Sequence, residues 1–110
     1  MTHNKLITQE QIEHVAKIII DNYHPEKIIL FGSYAKGTPT QGSDLDIAVI
    51  KDSSLPQHQR PREIRKYLRG ICIPMDIFVY TKAEIEEWKD VKQAFITQIL
   101  QTGKVVYENK

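Results

Sequence analysis

The sequence predicts an α/β or α+β domain in which helices flank a small mixed β-sheet. Short β-branched runs alternate with segments of helical periodicity along the chain. The second and third predicted strands are joined through a helix, and strands connected in this way are expected to pair in parallel. A length of 110 residues suits one domain, residues 1–110, with one modest core.

The first half of the chain is predicted to contain a helix and two strands. Thr8 and Gln11 have the spacing of a capping box, and apolar residues follow at helical intervals. An apolar, β-branched run follows Pro25 and ends at Gly32, which predicts a buried strand. The predicted elements are a helix over residues 9–22, a strand over 27–31, a loop with a short helical turn over 32–43, and a strand over 45–51.

The second half is predicted to contain three helices and two strands. Thr81 and Glu84 repeat the capping-box spacing, and Gly70 and Gly103 are expected to end the first and last of these helices. The predicted elements are a polar helix over residues 60–69, a strand over 74–80, a helix after Thr81, a last helix over about 91–102, and a short strand over 105–107. The residues expected on apolar helix faces are Ile64, Tyr67, Leu68, Ile85, Trp88, Val91, Ala94, Phe95, Ile96, Ile99 and Leu100.

Two carboxylates stand at the start of the second strand. Because side chains alternate across a strand, Asp44 and Asp46 are expected on the same face. Asp76 interrupts the otherwise apolar third strand, and it lies beside the pair if the two strands are parallel neighbours. A buried carboxylate at Asp76 would need a partner or a metal, and three carboxylates on one face suit a hard divalent cation. The alternative is that Asp44 is a turn residue and Asp46 an exposed strand residue.

A glycine-serine turn precedes the carboxylates. Gly32 would let a ligand approach the backbone, and the turn amides and the Ser33 hydroxyl can bind phosphate oxygens. Gly32 and Gly37 have the glycine spacing of a P-loop, but Thr38 and Pro39 stand where Lys-Ser/Thr is required, which excludes that motif. Most Gly-Ser turns are only turns, and this one gains weight because it leads into the aspartate pair.

The order Gly32-Ser33, ten residues, then Asp44-x-Asp46 resembles the signature of the polymerase-β-like nucleotidyltransferase superfamily, and Asp76 resembles its third carboxylate. The resemblance implies that superfamily's fold, with Asp44, Asp46 and Asp76 as catalytic residues that bind two Mg²⁺ ions, and with ATP as substrate. The nucleotide-binding residues that it implies are Gly32, Ser33, Lys36 and Ser43. Lys36 stands where this superfamily's small members often have arginine, and it supplies charge without a bidentate fork.

The short chain is similar to minimal nucleotidyltransferases, which are commonly encoded beside a small helical HEPN-domain protein. In that setting the resemblance implies an antitoxin that transfers AMP to a tyrosine hydroxyl of a HEPN RNase toxin. Alternative acceptors are a small molecule, such as an aminoglycoside, and an RNA 3′ end. An alternative of another class is an antitoxin that inhibits by binding alone.

Charge and composition limit the other functions. A formal net charge of +1 provides no bulk electrostatic case for binding nucleic acid or membranes. No N-terminal signal and no apolar run of about 18 residues is present, so a cytoplasmic protein is expected. Cys72 is expected to be a buried, inert thiol. The basic residues in 60–69 are interpreted as a solvated face, with an acidic partner, a tRNA or the triphosphate as alternative contacts.

The remaining candidates are interpreted as structural or as interaction surfaces. Tyr34 is expected to pack, with stacking on a base as the alternative. Trp88, Val91, Phe95 and Ile99 are expected in the core, and part of that stripe could contact a partner. A sheet of three strands would leave edges for a partner or a second copy, so a homo-oligomer is also considered. The histidines without metal-ligand spacing, expected to be surface or structural residues, are His3, His14, His24 and His58.

Overall fold

The structure is a computed structural model that describes residues 6–40, 42–91 and 94–109. Its helices are α1 (Gln9–Tyr23), α2 (Ser33–Lys36), α3 (Arg60–Arg65), α4 (Lys82–Trp88) and α5 (Phe95–Thr102). Its strands are β1 (Lys27–Phe31), β2 (Leu45–Ile50), β3 (Met75–Tyr80) and β4 (Lys104–Glu108). Two 3₁₀ turns, Gln57–Gln59 and Lys66–Leu68, flank α3. None of the helices in the described ranges is long and apolar enough to cross a membrane.

The described residues form one mixed sheet with the strand order β3-β2-β1-β4. β2 and β3 pair in parallel, which confirms the prediction from the helical connection between them. β1 pairs antiparallel with both β2 and β4. The short terminal strand predicted over residues 105–107 is present as β4 and completes a four-stranded sheet, so the three-stranded sheet considered for its free edges was wrong.

Each face of the sheet packs against its own helices, because side chains alternate along the strands. One face carries Ile28, Leu30, Ile47, Val49, Ile77 and Val79. It packs against apolar residues of α1, α3 and the following 3₁₀ turn, namely Ile12, Val15, Ile19, Ile64 and Leu68. The opposite face carries Ile29, Phe31, Ala48, Ile50 and Tyr80 and packs against Ile96 and Ile99 of α5. The second face also carries the predicted site residues.

Both predicted capping boxes are present. The Thr8 hydroxyl accepts a hydrogen bond from the Gln11 amide, and the Gln11 side chain accepts one from the Thr8 amide. The Thr81 hydroxyl and the Glu84 side chain form the same reciprocal pair at the start of α4. These bonds fix where the two helices begin, because they satisfy amides that the helix itself leaves free.

The predicted apolar stripe from Trp88 to Ile99 is only partly buried. Ile99 lies in the core, but Trp88, Val91 and Phe95 are exposed, so their assignment to the core was wrong. The reason is a break in the chain's helical course, since α4 ends at Trp88 and α5 begins only at Phe95. Tyr67, which was expected beside Ile64 on the inner face of α3, is also exposed because a 3₁₀ turn replaces the last part of that helix.

Cys72 is exposed, and the prediction of a buried thiol was wrong. It lies in the connection that precedes β3, between Ile71 and Ile73, which pack against the core. His14, His24 and His58 are exposed as expected, whereas His3 lies outside the described residues. The exposure of Cys72 depends on which way the chain turns its side chain at this position, and apolar neighbours in the sequence do not specify that.

The basic segment over residues 60–69 is not a uniformly solvated face. Arg60 is buried, and its guanidinium makes a bidentate pair with Glu84, with distances of 2.7 Å to Oε1 and 3.1 Å to Oε2. The same side chain donates to the carbonyl oxygens of Leu55 and Val79 at 2.9 and 3.1 Å. Arg65 is exposed and donates to the Met75 carbonyl at 3.1 Å. The expectation of a solvated face was therefore wrong for Arg60.

Candidate active site

The three predicted carboxylates lie at the same end of two neighbouring strands. Asp46 of β2 is in register with Asp76 of the parallel strand β3, and on its other side it is in register with Phe31 of β1. Asp44 immediately precedes β2, two residues before Asp46, and its negative charge acts on the Asp46 carboxyl. We call Asp44, Asp46 and Asp76 the acid row. The parallel pairing that the sequence predicted is what brings Asp76 beside the other two.

The carboxylates of the acid row differ in burial. Asp46 is partly buried, whereas Asp44 and Asp76 are exposed. The expectation that Asp76 is buried within an apolar strand was wrong, because it is the second residue of a strand at the edge of the sheet. The free-energy cost of burying a charged carboxylate therefore applies mainly to Asp46. The Asp76 carboxylate remains accessible to a second molecule.

The environment of Asp46 disfavours its charged form. Burial raises the pKa of the Asp46 carboxyl above its usual value, and the negative charges of Asp76 and Asp44 raise it further. Within the part of the chain that the structure describes, no lysine or arginine forms a salt bridge with any member of the acid row. A bound cation would reverse this balance, because it would attract all three carboxylates.

Gly32 lies directly against the Asp46 carboxylate. Its backbone adopts φ 73° and ψ −153°, a conformation that is essentially restricted to glycine. A Cβ atom at this position would overlap the Asp46 carboxylate oxygen Oδ2. The structure thus requires glycine here for two local reasons, in addition to the close approach of a ligand that the sequence suggested.

The turn after Gly32 is the short helix α2. It begins at Ser33, which is partly buried, and its amide at Lys36 donates to the Gly32 carbonyl at 3.1 Å. Gly37 ends it in the left-handed conformation with φ 75°. This arrangement holds Ser33 next to the residue that contacts Asp46, while the exposed Lys36 lies one helical turn further on.

Ser43 and Tyr34 make contacts within the protein. The Ser43 hydroxyl accepts a hydrogen bond from the Thr40 amide at 3.0 Å, and this closes the turn before Asp44. The role of Ser43 in nucleotide binding stays a prediction. The Tyr34 hydroxyl accepts from the Ile7 amide at 2.8 Å, and the ring packs against the core, which confirms the packing interpretation.

The donor set of the acid row fits a hard cation. All its side chains supply carboxylate oxygens, which are preferred ligands of Mg²⁺, and their mutual repulsion at Asp46 is what a cation would relieve. Over the described residues, no three His, Cys, Asp or Glu side chains are arranged as a ready-made metal site. The row is therefore complementary to cations in charge and chemistry but is not a preformed cage.

Three aromatic rings adjoin the acid row and were not identified as site residues from the sequence. Phe31, Phe78 and Phe95 contact one another, with ring centroids 5.8 Å apart for Phe31 and Phe78, 5.5 Å for Phe31 and Phe95, and 5.4 Å for Phe78 and Phe95. We call these residues the aromatic trio. Two signals could have revealed it, since Phe31 immediately precedes Gly32 and Phe78 lies two residues after Asp76 on the same strand face.

A surface pocket of about 360 Å³ lies at the opposite end of the strands from the acid row. Lys27, Ile50, Lys82 and Leu100 are among the residues that line it, and none of the acid row belongs to its lining. This pocket therefore does not coincide with the acid row, whose candidacy as a site rests on charge and backbone conformation.

Comparisons with known proteins agree with the predicted family. Residues 13–110 match the family model for polymerase beta, nucleotidyltransferase. A Methanocaldococcus jannaschii protein named as a protein adenylyltransferase is 36% identical over 80 residues, which cover 64% of this chain and 80% of that protein. A second protein of the same name and organism is 31% identical over 88 residues, covering 74% and 78%.

Solved structures share the fold. A toxin–antitoxin crystal structure with AMP-PNP aligns with a TM-score of 0.63 at 24% identity, covering 89% of this chain and 73% of that one. A variant of the toxin–antitoxin MntA-HpeT aligns at 0.58 with 25% identity, covering 90% and 73%. A tri-AMPylated Shewanella oneidensis HEPN toxin in complex with an MNT antitoxin gives 0.52 and 22%, covering 88% and 69%. Because the family model matches most of its length, this chain belongs to the polymerase beta nucleotidyltransferase family.

Proposed function

We propose that this chain is a metal-dependent adenylyltransferase that transfers AMP from ATP to a tyrosine hydroxyl of a HEPN-domain toxin and thereby acts as its antitoxin. The observation that carries the proposal is the acid row, in which Asp46 lies partly buried against Gly32 and is repelled by Asp76 and Asp44. A carboxyl whose pKa is raised by burial and by neighbouring negative charges, and which has no salt-bridge partner, is typical of catalytic sites. Membership of a nucleotidyltransferase family supports this chemistry.

Each member of the acid row has a role that follows from its position. Asp44 and Asp46, at the start of β2, would hold two Mg²⁺ ions jointly, and Asp76 would complete the coordination from β3. When bound, such ions supply positive charge that stabilises the attacking and leaving oxygens of the transfer. Asp76 is the exposed carboxylate at the sheet edge, so we assign to it the proton of the acceptor hydroxyl.

The Gly32 turn would bind the leaving group. Its glycine admits close approach, the Ser33 hydroxyl can donate to a phosphate oxygen, and Lys36 adds positive charge one turn away. In the reaction, the acceptor oxygen forms a bond to the α-phosphorus of ATP. The bond from that phosphorus to the oxygen bridging to the β-phosphorus breaks, pyrophosphate leaves, and the hydroxyl proton passes to the Asp76 carboxylate and then to water.

A protein acceptor is favoured over the alternatives by two findings. The curated relatives are named as protein adenylyltransferases, and one structural neighbour is a complex with an AMPylated HEPN toxin. Asp76 is exposed at the edge strand β3, so a hydroxyl carried by a second folded protein can reach it. The near-neutral net charge supports neither an RNA 3′ end as acceptor nor a tRNA bound at residues 60–69.

Intact-mass spectrometry tests the proposal. A HEPN-domain toxin, which the proposal expects to be encoded beside this chain, is incubated with the chain, Mg²⁺ and ATP, and its mass is expected to rise by one or more AMP units. Asp44→Asn and omission of Mg²⁺ should each abolish the shift, while Asp90→Asn, which removes an exposed acid outside the row, should retain it.

Other outcomes of the same experiment would contradict the proposal in different ways. No mass shift together with a stable complex on size-exclusion chromatography would indicate an antitoxin that acts by binding alone. Transfer of AMP to an aminoglycoside or to an RNA end, but not to the HEPN-domain protein, would show that the chemistry is right and the acceptor wrong. Transfer that persists without Mg²⁺ and in the presence of EDTA would contradict the role of the metal.

A further inference from the structure

We infer that Phe78 and Phe95 of the aromatic trio bind the aromatic ring of the acceptor tyrosine and so select a phenolic hydroxyl. This inference rests on the proposed function and specifies how its acceptor is recognised. The trio is held together by edge-on ring contacts, which is a favourable arrangement for aromatic side chains.

The aromatic trio is continuous with the acid row. Phe78 follows Asp76 by two residues on the same face of β3, a separation of about 7 Å along a strand. On β1, Phe31 is directly in register with Asp46. A ligand that touches the rings therefore needs only a short extension to reach the carboxylates.

The rings are exposed unequally. Phe31 is buried and Phe78 is partly buried, but 49% of Phe95 is exposed although it contacts both other rings. Phe95 is the first residue of α5, and so its ring lies at the end of that helix above the sheet. The trio thus presents an apolar aromatic surface next to three acidic side chains, and a ligand that is apolar along its ring and polar at one tip matches this boundary.

Tyrosine has this polarity, and its length fits. An aromatic ring packed against Phe78 or Phe95 has its centroid about 4.5–7 Å from theirs, and the phenolic oxygen extends from the far edge of the ring. Directed along β3, that oxygen comes to the exposed carboxylate of Asp76, which takes its proton when the bond to the α-phosphorus forms. Serine and threonine hydroxyls are attached to the first side-chain carbon and cannot contact both the rings and Asp76.

The adenine base is the other flat ring in the reaction, and the geometry favours the acceptor. The proposed pyrophosphate contacts, Gly32 and Ser33, follow β1, whereas Asp76 and Phe78 lie on β3, two strands away. Attack in line with the leaving group places the acceptor on the side opposite the pyrophosphate, which is the side of β3. The test must therefore distinguish binding of the acceptor tyrosine at the aromatic trio from binding of adenine there.

The test compares acceptors as well as variants. The HEPN-domain protein is prepared with its acceptor tyrosine and with serine at the same position, and AMP transfer to each is measured with the wild-type chain and with Phe95→Ala. The wild type should prefer the tyrosine acceptor at least about tenfold in kcat/KM. Phe95→Ala should lose about tenfold in kcat/KM for tyrosine, mainly through KM, with little change for serine, so that the preference collapses.

Further variants keep the test decisive. Leu100→Ala removes another exposed apolar side chain of α5 and should keep the wild-type preference. If Phe95→Ala does not fold, Phe95→Leu, which keeps apolar volume without the ring, takes its place.

Equal losses for both acceptors would indicate a general docking contact and overturn the inference. A loss of affinity for AMP-PNP, measured by calorimetry without acceptor, would assign the trio to adenine and also overturn it. Absence of transfer by the wild type would instead refute the proposed function.

Discussion

Two groups of charged side chains in this molecule differ in whether they are paired with opposite charges. Arg60 and Glu84, which come from α3 and α4, form a bidentate ion pair, and Arg60 also donates to two backbone carbonyls. The acid row gathers three carboxylates at one end of two parallel strands, and none of them has a salt bridge within the described residues. The charges of the first group are balanced within the protein, whereas no oppositely charged side chain among the described residues balances the second.

The pKa values of the two groups move in opposite directions. The hydrogen bonds from Arg60 are the largest cause that lowers the pKa of Glu84, so the fold favours its charged form. Burial, followed by the charges of Asp76 and Asp44, raises the pKa of Asp46, so the fold disfavours its charge. Glu84 therefore stabilises the protein at neutral pH, whereas Asp46 destabilises it. Carboxylates kept at a cost to stability indicate a functional role.

The largest expected effect comes from Asp46→Asn. Because this carboxylate would hold the metal ions, we expect AMP transfer to fall by about 1,000-fold or more, which corresponds to several kcal/mol of transition-state stabilisation. The free energy of unfolding should be unchanged or slightly higher at pH 7, since the repelled charge is removed. Steady-state transfer assays and thermal unfolding followed by circular dichroism measure the two quantities.

The stability gain of Asp46→Asn should depend on pH with a defined sign. The pKa of Asp46 is higher in the folded state than in the unfolded state. The resulting loss of folding stability is therefore absent at a pH below the unfolded pKa and develops as the pH rises through the folded pKa. The melting temperatures of wild type and variant should therefore converge in acid and separate toward neutrality. A variant that is inactive and also strongly destabilised at pH 7 would mean that Asp46 is a structural residue.

The Arg60–Glu84 pair should show the reverse behaviour. Arg60→Ala leaves Glu84 without its partner and should lower the free energy of unfolding by roughly 2–4 kcal/mol, given that Arg60 is buried and Glu84 is partly exposed. Transfer activity measured well below the melting temperature should change little. Urea denaturation gives the stability, and the same transfer assay gives the activity.

Glu84→Gln adds a test of pH dependence. The pKa of Glu84 is lowered in the folded state, so its stabilisation is present above the unfolded value and is lost as the pH falls through the folded value. Glu84→Gln should therefore be less stable than the wild type at pH 7, with the difference shrinking in acid. Glu87→Gln removes an exposed acid of the same helix and should match the wild type at both pH values.

A smaller effect is expected at the glycine that touches the acid row. Gly32→Ala places a methyl group against the Asp46 carboxylate and also strains the backbone, so it should cost roughly 2–3 kcal/mol of stability and displace Asp46. Gly37→Ala is a matched control, because Gly37 has a similar positive φ but, apart from its neighbours along the chain, no described atom within 4 Å of the place that a Cβ would take. It should cost about 1 kcal/mol and retain transfer. Equal activity of the two variants would contradict the contact with Asp46.

Much of the site could be predicted because it depends on local and topological rules. Capping boxes at Thr8 and Thr81 placed two helices, and a helical connection between β2 and β3 implied the parallel pairing. That pairing, together with alternation along the strands, was enough to bring Asp76 beside Asp46. The sequence predicted that Gly32 allows a close approach to the backbone. Its contact with Asp46 could not be predicted, because it depends on the register of β1 and β2.

The remaining features depend on contacts between distant residues. Arg60 belongs to a basic run that looks solvated, and its partner Glu84 is separated from it by 24 positions. The break between α4 and α5 leaves Trp88 and Phe95 exposed, although their spacing suits a single buried helix face. Phe31, Phe78 and Phe95 come together only through the sheet and α5, so the local signals at Gly32 and Asp76 indicate Phe31 and Phe78 but not Phe95.

The central claim is that the acid row is incomplete without cations and a nucleotide, and ligand-dependent thermal stability tests it most directly. The wild-type chain and Asp46→Asn are melted with and without MgCl₂ and AMP-PNP. Binding at about 100 times the dissociation constant should stabilise the wild type by about 2.7 kcal/mol, a rise of roughly 10 °C in melting temperature. Asp46→Asn should show almost none of this rise. An equal rise in both proteins, or no rise in the wild type, would contradict the claim.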